Sequence, residues 1–292
     1  MSVVRRLLFG KARIAIPYPE PAVIDVPMRQ LYLQSLRASF TQHDTFKDVR
    51  AYCMFVGYPR SGHSLLGAII DAHPNALCAH ELDALGLVEA GFSRRQIYSL
   101  ILKNSADFAR HGRVWTYGYK YEIPGQWNGR FERLLLMGDK KGGLSSTRFA
   151  RNPRLLQKLR RVMGSNVKML HVVRNPFDNI GTMTLRGMKL GDAVEEYFDK
   201  ADAVLNVSRQ IEPRDFLTVS HEELILNPSA VIQGVCEFLG LATRPDYIEA
   251  CCRVIHKQPN RTRAQIAWDP QLLTVAQMRA AANPFLHQYA FE

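Results

Sequence analysis

Residues 57–64 read GYPRSGHS and place Gly57, Gly62 and Ser64 at the spacing of a phosphate-binding loop, G-x-x-x-x-G-K-S/T, with His63 where the lysine would stand. Glycines let such a loop turn tightly, and a helix starting near residue 62 aims unbonded backbone N–H groups and a positive dipole end at an anion. In sites that hydrolyse ATP or GTP the lysine holds the terminal phosphates, the next serine holds magnesium, and an acid on another strand supports the metal. Here the strand at 167–173 ends in Arg174. Two supports of a metal–nucleotide site are therefore absent, while Arg60 in mid-loop offers a fork of donors that can clamp a terminal anion directly. Read locally, the stretch is also an ordinary glycine–proline turn between a strand and a helix.

The elements that position this loop follow from hydrophobic periodicity. AYCMFVGY (51–58) is a short apolar run of strand formers, and SLLGAIIDAHP (64–74) spaces its leucines and isoleucines at helical intervals up to Pro74. NALCAH (75–80), RLLLMGDK (133–140), NVKMLHVVRNP (166–176) and DFLTVSHEEL (215–224) read as further strands. Helical patterns occupy about 83–91, 93–109, 152–164 with Pro153 in its first turn, 176–211 and 228–241. Strands alternating with helices predict an α/β domain with a largely parallel central sheet flanked by helices, and ligands beyond the carboxyl ends of the strands. Without an internal repeat or linker, the chain divides into an irregular N-terminal arm (1–50) and a single domain (51–292).

Composition narrows the class of ligand. The 292 residues carry a net charge of +11, so an anionic partner is expected: nucleotide, acidic substrate, nucleic acid or anionic lipid. The bases concentrate between Lys140 and Arg174 and again between Arg253 and Arg263, stretches without Asp or Glu. Because no RNA-binding or zinc-finger pattern accompanies them, nucleic acid is not expected. Five cysteines without C-x-x-C spacing argue against a disulfide framework or metal site and for a reducing, cytoplasmic setting. No run reaches the length of a membrane span, and residues 1–21 read as part of a mature, non-secreted protein, although the basic arm is suited to peripheral membrane contact.

GYPRSGHSLL resembles the 5′-phosphosulfate loop of sulfotransferases that use 3′-phosphoadenosine-5′-phosphosulfate, Y/F-P-K/R-S/T-G-S/T-S/T, except that His63 replaces a Ser or Thr. Their second signature, a strand-end Arg followed eight residues later by Ser, is similar to RNPFDNIGT (174–182), with Arg174 and Thr182 in those places. IIDAHPNALCAHELDAL (69–85), MGDKKGG (137–143) and SHEELILNPSAVIQGVCEFLGL (220–241) resemble segments of the tyrosylprotein and Golgi carbohydrate sulfotransferases, with His221 in place of a Tyr. The resemblance spans about residues 52–268 and implies the P-loop, nucleotide-kinase-like architecture of that family.

It also implies roles. Arg60, Ser61, Gly62, His63 and Ser64 would cradle the 5′-phosphosulfate, and Arg174 with Thr182 would hold the 3′-phosphate. Arg261, Thr262 and Arg263 would belong to a loop closing over the nucleotide. Glu81 would be the general base and Lys140 would assist at the sulfuryl group. His63 would be an auxiliary able to donate to the leaving phosphate, and His80 an alternative base ranked below it. No metal is implied, and the spent cofactor would be 3′-phosphoadenosine-5′-phosphate. The acceptor would be a small molecule or glycan, in pocket walls drawn from the arm and residues 92–132, with Tyr98, Tyr117, Tyr119, Tyr121 and Trp127. Two other readings stay open: a P-loop kinase, and a non-catalytic member of the fold that binds an anion.

Overall fold

The computed structural model describes residues 3, 6–7, 10–16, 22–115, 118–164 and 166–292. Tyr117 and most of residues 1–21 lie outside the described residues.

Strand β3 (Ala51–Gly57) is buried along its whole length. It forms the middle of a five-stranded parallel sheet with β4 (Ala76–His80), β5 (Leu136–Lys140), β6 (Val167–Val173) and β7 (Phe216–Ser220), in the order β4-β5-β3-β6-β7. Burial on both faces explains why β3, β4, β5 and β6 read as apolar runs, while β7, at the sheet edge, is only partly buried. Alternate residues of β3 serve two cores: Tyr52, Met54 and Val56 join one, and Ala51, Cys53 and Phe55 the other. The first core is covered by α3 (Ala84–Ala90), α4 (Arg94–Arg110), α6 (Leu155–Met163), α7 (Pro176–Leu185) and α8 (Leu190–Ser208); the second by α2 (His63–Asp71), α9 (His221–Leu226), α10 (Pro228–Leu239) and α11 (Pro245–Arg253). Because the connection from β3 runs to β4 on one side and that from β6 to β7 on the other, the loops at the carboxyl ends of β3 and β6 part around a crevice.

Several expected elements change. The N-terminal arm is not irregular: β1 (Lys11–Ile16) and β2 (Ala22–Pro27) pair antiparallel, and α1 (Met28–Thr41) packs on α4. The buried stripe of α1 is Met28, Leu31, Ser35 and Ser39. Two of its four members are serines that bond backward to the carbonyls of Tyr32 (3.0 Å) and Leu36 (2.7 Å), so a hydrophobic count misses the period. A helix α5 (Gly142–Arg151), whose paired glycines and serines hide it, follows β5 directly. The next helix starts at Leu155, leaving Pro153 ahead of it rather than in its first turn. Strand β7 ends at Ser220, whose hydroxyl accepts from the Glu223 N–H at 3.2 Å and opens α9. The tail forms α12 (Pro270–Ala282), capped by Asp269, and then returns to the sheet edge, where the Asn175 side chain donates to the Ala290 carbonyl at 3.0 Å. None of the described helices is long and apolar enough to cross a membrane.

Candidate active site

Strands β3, β4, β5 and β6 end at one edge, and so bring the loop at 57–64, Glu81, Lys140 and Arg174 together although they are spread over more than a hundred residues. The loop depends on two backbone positions that favour glycine. Gly57 has φ 146°, and a Cβ there would lie 2.5 Å from His63 Nε2; Gly62, at φ 95°, caps α2, and a Cβ there would lie 2.6 Å from His221 Cδ2. Arg60 is exposed and left-handed, with φ 67°. Strain of this kind persists where the surroundings over-determine it. Here Asn179 of α7 donates to the Pro59 carbonyl (2.7 Å) and to Ser61 Oγ (3.0 Å), while Ser61 donates to the Tyr58 carbonyl (3.0 Å). The Ser61 hydroxyl is thus spent on the shape of the loop, and the first N–H groups of α2 face the crevice without intrahelical partners.

His63 differs from expectation. Its imidazole is turned beneath the loop, wedged between Gly57 and Gly142, edge-on to Phe55 at 6.1 Å and bonded to the Val56 carbonyl. Burial, reinforced by Lys140, pushes its pKa down to about 4, so the ring is neutral near pH 7. What His63 presents to the crevice is backbone; the expected side-chain contact with a leaving phosphate is corrected, because the wedge between two glycines fixes the ring inward. His80 is likewise interior, stacked on Phe108 at 4.4 Å with Trp115 against its edge, and burial holds its pKa well below the ordinary value.

Glu81 and Lys140 meet through sheet register. His80 of β4 lies opposite Lys140 of β5, and the Glu81 N–H donates to the Lys140 carbonyl at 3.1 Å. Lys140, whose stem runs over Gly67, donates to the Glu81 carboxylate and to Ser64 Oγ at 3.0 Å. Lys141 pairs with the second carboxylate oxygen at 2.9 Å. The Glu81 side chain is 26% exposed. Burial works to raise its pKa, but Lys140 and then Lys141 outweigh it and hold the carboxyl well below the usual range. The segment is strained, with φ 62° at Glu81 and 66° at Asp83, and buried Asp139 clasps it by accepting from the N–H groups of Leu82 (3.2 Å) and Ala84 (2.7 Å).

Around Arg174 a second cationic corner forms. The buried guanidinium donates to the Arg60 carbonyl at 3.2 Å and to the Asn260 carbonyl, and its Nε has no hydrogen-bond partner among the described residues. Thr182 touches Thr262 at 3.0 Å, and both hydroxyls donate to the Asp178 carbonyl. Arg263 donates to the Asp178 carboxylate through its N–H (3.0 Å) and guanidinium (2.6 Å). A Cβ at Gly181 would come within 2.8 Å of the Thr262 carbonyl, so the glycine permits this close docking. Thr262 and Arg263 therefore latch their loop onto α7, while Arg261 is exposed beside them.

A sequence model of the sulfotransferase family matches residues 54–245, about two thirds of the chain. The chain belongs to the sulfotransferase family. Its fold is similar to that of sulfotransferase STF9 from Mycobacterium avium (12% identity, TM-score 0.52, covering 91% of this chain and 83% of that one). Sulfotransferase STF1 from Mycobacterium tuberculosis is similar at 13% identity and TM-score 0.51, covering 87% and 82% of the two chains. Mouse sulfotransferase SULT7A1, solved with PAP, overlaps at 14% identity and TM-score 0.44, covering 86% and 90%. No curated protein sequence matches.

In this sulfotransferase the sequence pattern leaves two site neighbours unassigned and a third only loosely placed. Lys141 was visible only as one base in a basic stretch, and Asn179 only as a helix residue. Tyr121, read as a general pocket wall, bonds Ser64 through its hydroxyl and lies within the field of Arg60 and Arg186. It is held there by a buried pair: Arg113 binds Asp71 at 2.5 Å and donates through Nε to the Tyr121 carbonyl at 2.6 Å. Two other expected walls are corrected. Tyr98 is buried between Phe46 and Tyr52, and Trp127 packs at the far end of α2, where its N–H meets the Ala72 carbonyl at 3.1 Å.

Proposed function

We propose that this chain transfers the sulfuryl group of 3′-phosphoadenosine-5′-phosphosulfate to a hydroxyl acceptor by in-line displacement without a metal. The observation that carries the reading is the Lys140 ammonium shared by Ser64 of the phosphate loop and the Glu81 carboxylate, which joins an anion cradle to a base in one crevice. The residues fit such a nucleotide on their own chemistry. The α2 N-terminus and Arg60 suit a 5′-phosphosulfate, and the unpartnered Nε of buried Arg174, with Thr182 nearby, suits a 3′-phosphate. Arg261, Thr262 and Arg263 belong to the loop latched beside that corner.

When bound, the nucleotide supplies a sulfuryl group on a good leaving phosphate. Arg60 and the loop amides orient it, so that positioning and electrostatics supply most of the rate. Glu81 accepts the acceptor's hydroxyl proton while the acceptor oxygen bonds sulfur and the sulfur–oxygen bond to phosphate breaks. Lys140 meets the electron pair left on that phosphate oxygen. As Lys140 turns toward this charge, Glu81 loses one of the cations that depress its basicity, so the base strengthens when the transferring group is in place. Resemblance in the Glu81 and Lys140 segments to tyrosylprotein and carbohydrate sulfotransferases supports a carbohydrate, lipid-linked alcohol, phenol or peptidyl tyrosine as acceptor, entering past Tyr119 and Tyr121. A cytoplasmic setting accords with five free cysteines.

Calorimetry tests the reading. Tight, magnesium-independent binding of 3′-phosphoadenosine-5′-phosphate is expected, and a preference for ATP with magnesium would overturn it.

A further inference from the structure

Lys141 stands outside every role assigned so far, yet its side chain is almost wholly enclosed at 10% exposure, and its ammonium makes two contacts to a single residue. It pairs with Glu81 Oε2 at 2.9 Å and donates to the Glu81 backbone carbonyl at 3.3 Å. The carbonyl contact matters because Glu81 is a non-glycine residue at φ 62°, a conformation that must be held from outside. Lys141 is itself fixed, since it opens α5 and the following Gly142 lies so close to the His63 ring that a Cβ would sit 2.9 Å from it. Lys140 approaches the same carboxylate differently: it takes the other oxygen, and it is shared with Ser64 of the phosphate loop.

The two lysines thus divide the carboxylate, one anchored to the Glu81 backbone and one tied to the loop. We propose that Lys141 is the positioning residue of the base: it keeps the Glu81 carboxylate and its left-handed backbone in place while Lys140 leaves for the transferring group. Without it, the departure of Lys140 would free Glu81 to relax from its strained backbone and swing away. The proposal rests on Glu81 being the base. The groups facing Glu81 are Lys140 from β5, Lys141 from the start of α5 and His80 from β4; His63 of α2 feels its charge across Lys140, and Asp139 feels it from behind.

The test is a ¹³C NMR titration of the glutamate carboxyls in the full chain, with and without 3′-phosphoadenosine-5′-phosphate, using Glu81→Gln to identify the resonance. In the wild type, Glu81 should titrate below the ordinary carboxylate range in both states, because Lys141 stays when the nucleotide engages Lys140. In Lys141→Gln the midpoint should rise by about one pH unit, and further when nucleotide is added. Lys141→Arg should restore it, with nucleotide affinity unchanged throughout. Lys141→Met, which keeps the aliphatic stem, repeats the charge loss if the Gln variant does not fold. A Glu81 midpoint that is unmoved in variants binding nucleotide normally would overturn the role of Lys141 alone. A wild-type protein that binds no nucleotide would overturn the functional reading beneath it.

Discussion

Arg174 reaches from the end of β6 to the backbone carbonyl of Arg60, at 3.2 Å, so the residue at the proposed 3′-phosphate corner also braces the loop proposed to hold the 5′-end. The two proposed anion sites are therefore one mechanical unit. Arg174→Ala should weaken 3′-phosphoadenosine-5′-phosphate binding by about 10- to 100-fold, the worth of one or two charge-assisted bonds, as read by calorimetry. A change in acceptor affinity alone would misplace the 3′-phosphate.

Glu81→Gln removes the proposed base but keeps its shape. Nucleotide affinity should be preserved or improved, because Lys140 loses a competing carboxylate, while turnover falls by about 10²- to 10⁴-fold. The check is nucleotide product formation across a panel of hydroxyl acceptors; near-normal turnover would remove Glu81 from the role.

His63, His171 and His221 are each depressed by burial, to about 4, about 3 and about 4. Because the folded values lie below the ordinary 6.5, the unfolded chain takes up protons first, and stability falls as pH drops from about 6.5 toward 4. For His63 the fall from 6.5 to about 4 corresponds to about 3 kcal/mol. His63→Thr should flatten this acid loss in urea titrations between pH 7 and 4.5 and leave the pH–rate profile near neutrality without a missing limb. Loss of a limb would return the imidazole to the chemistry.

Arg113→Ala strands Asp71, a fully buried carboxylate that also receives Ser105 and the Cys78 N–H. Unfolding by urea should show a loss of about 3–5 kcal/mol, with only part of it recovered in the Arg113→Met, Asp71→Leu double variant, because Ser105 and the Cys78 N–H then lose their acceptor. A single-variant loss near zero would mean that the pair does not secure Tyr121.

Much of this was legible in the chain. Apolar runs punctuated by glycine and proline mark the five strands, because four of them are buried along nearly their whole length and polar residues such as His171 and Asp139 are few in them. The loop pattern and Arg174 were legible because glycine geometry and strand-end position are local. Helix α1 was hidden by serines in its buried stripe, and α5 by glycines at its start.

The sequence alone determined which loop, helix start and strand-end cation exist and their order, since tight turns, helix starts and strand ends are dictated by neighbouring residues. Tertiary structure decided where each side chain points and what it spends its bonds on. Register across β4 and β5 set Lys140 against Glu81, two glycines drew the His63 ring inward, and Asp178 claimed Arg263 for the latch. Those outcomes depend on contacts between residues distant in the chain, whose distances and burial no local spacing encodes.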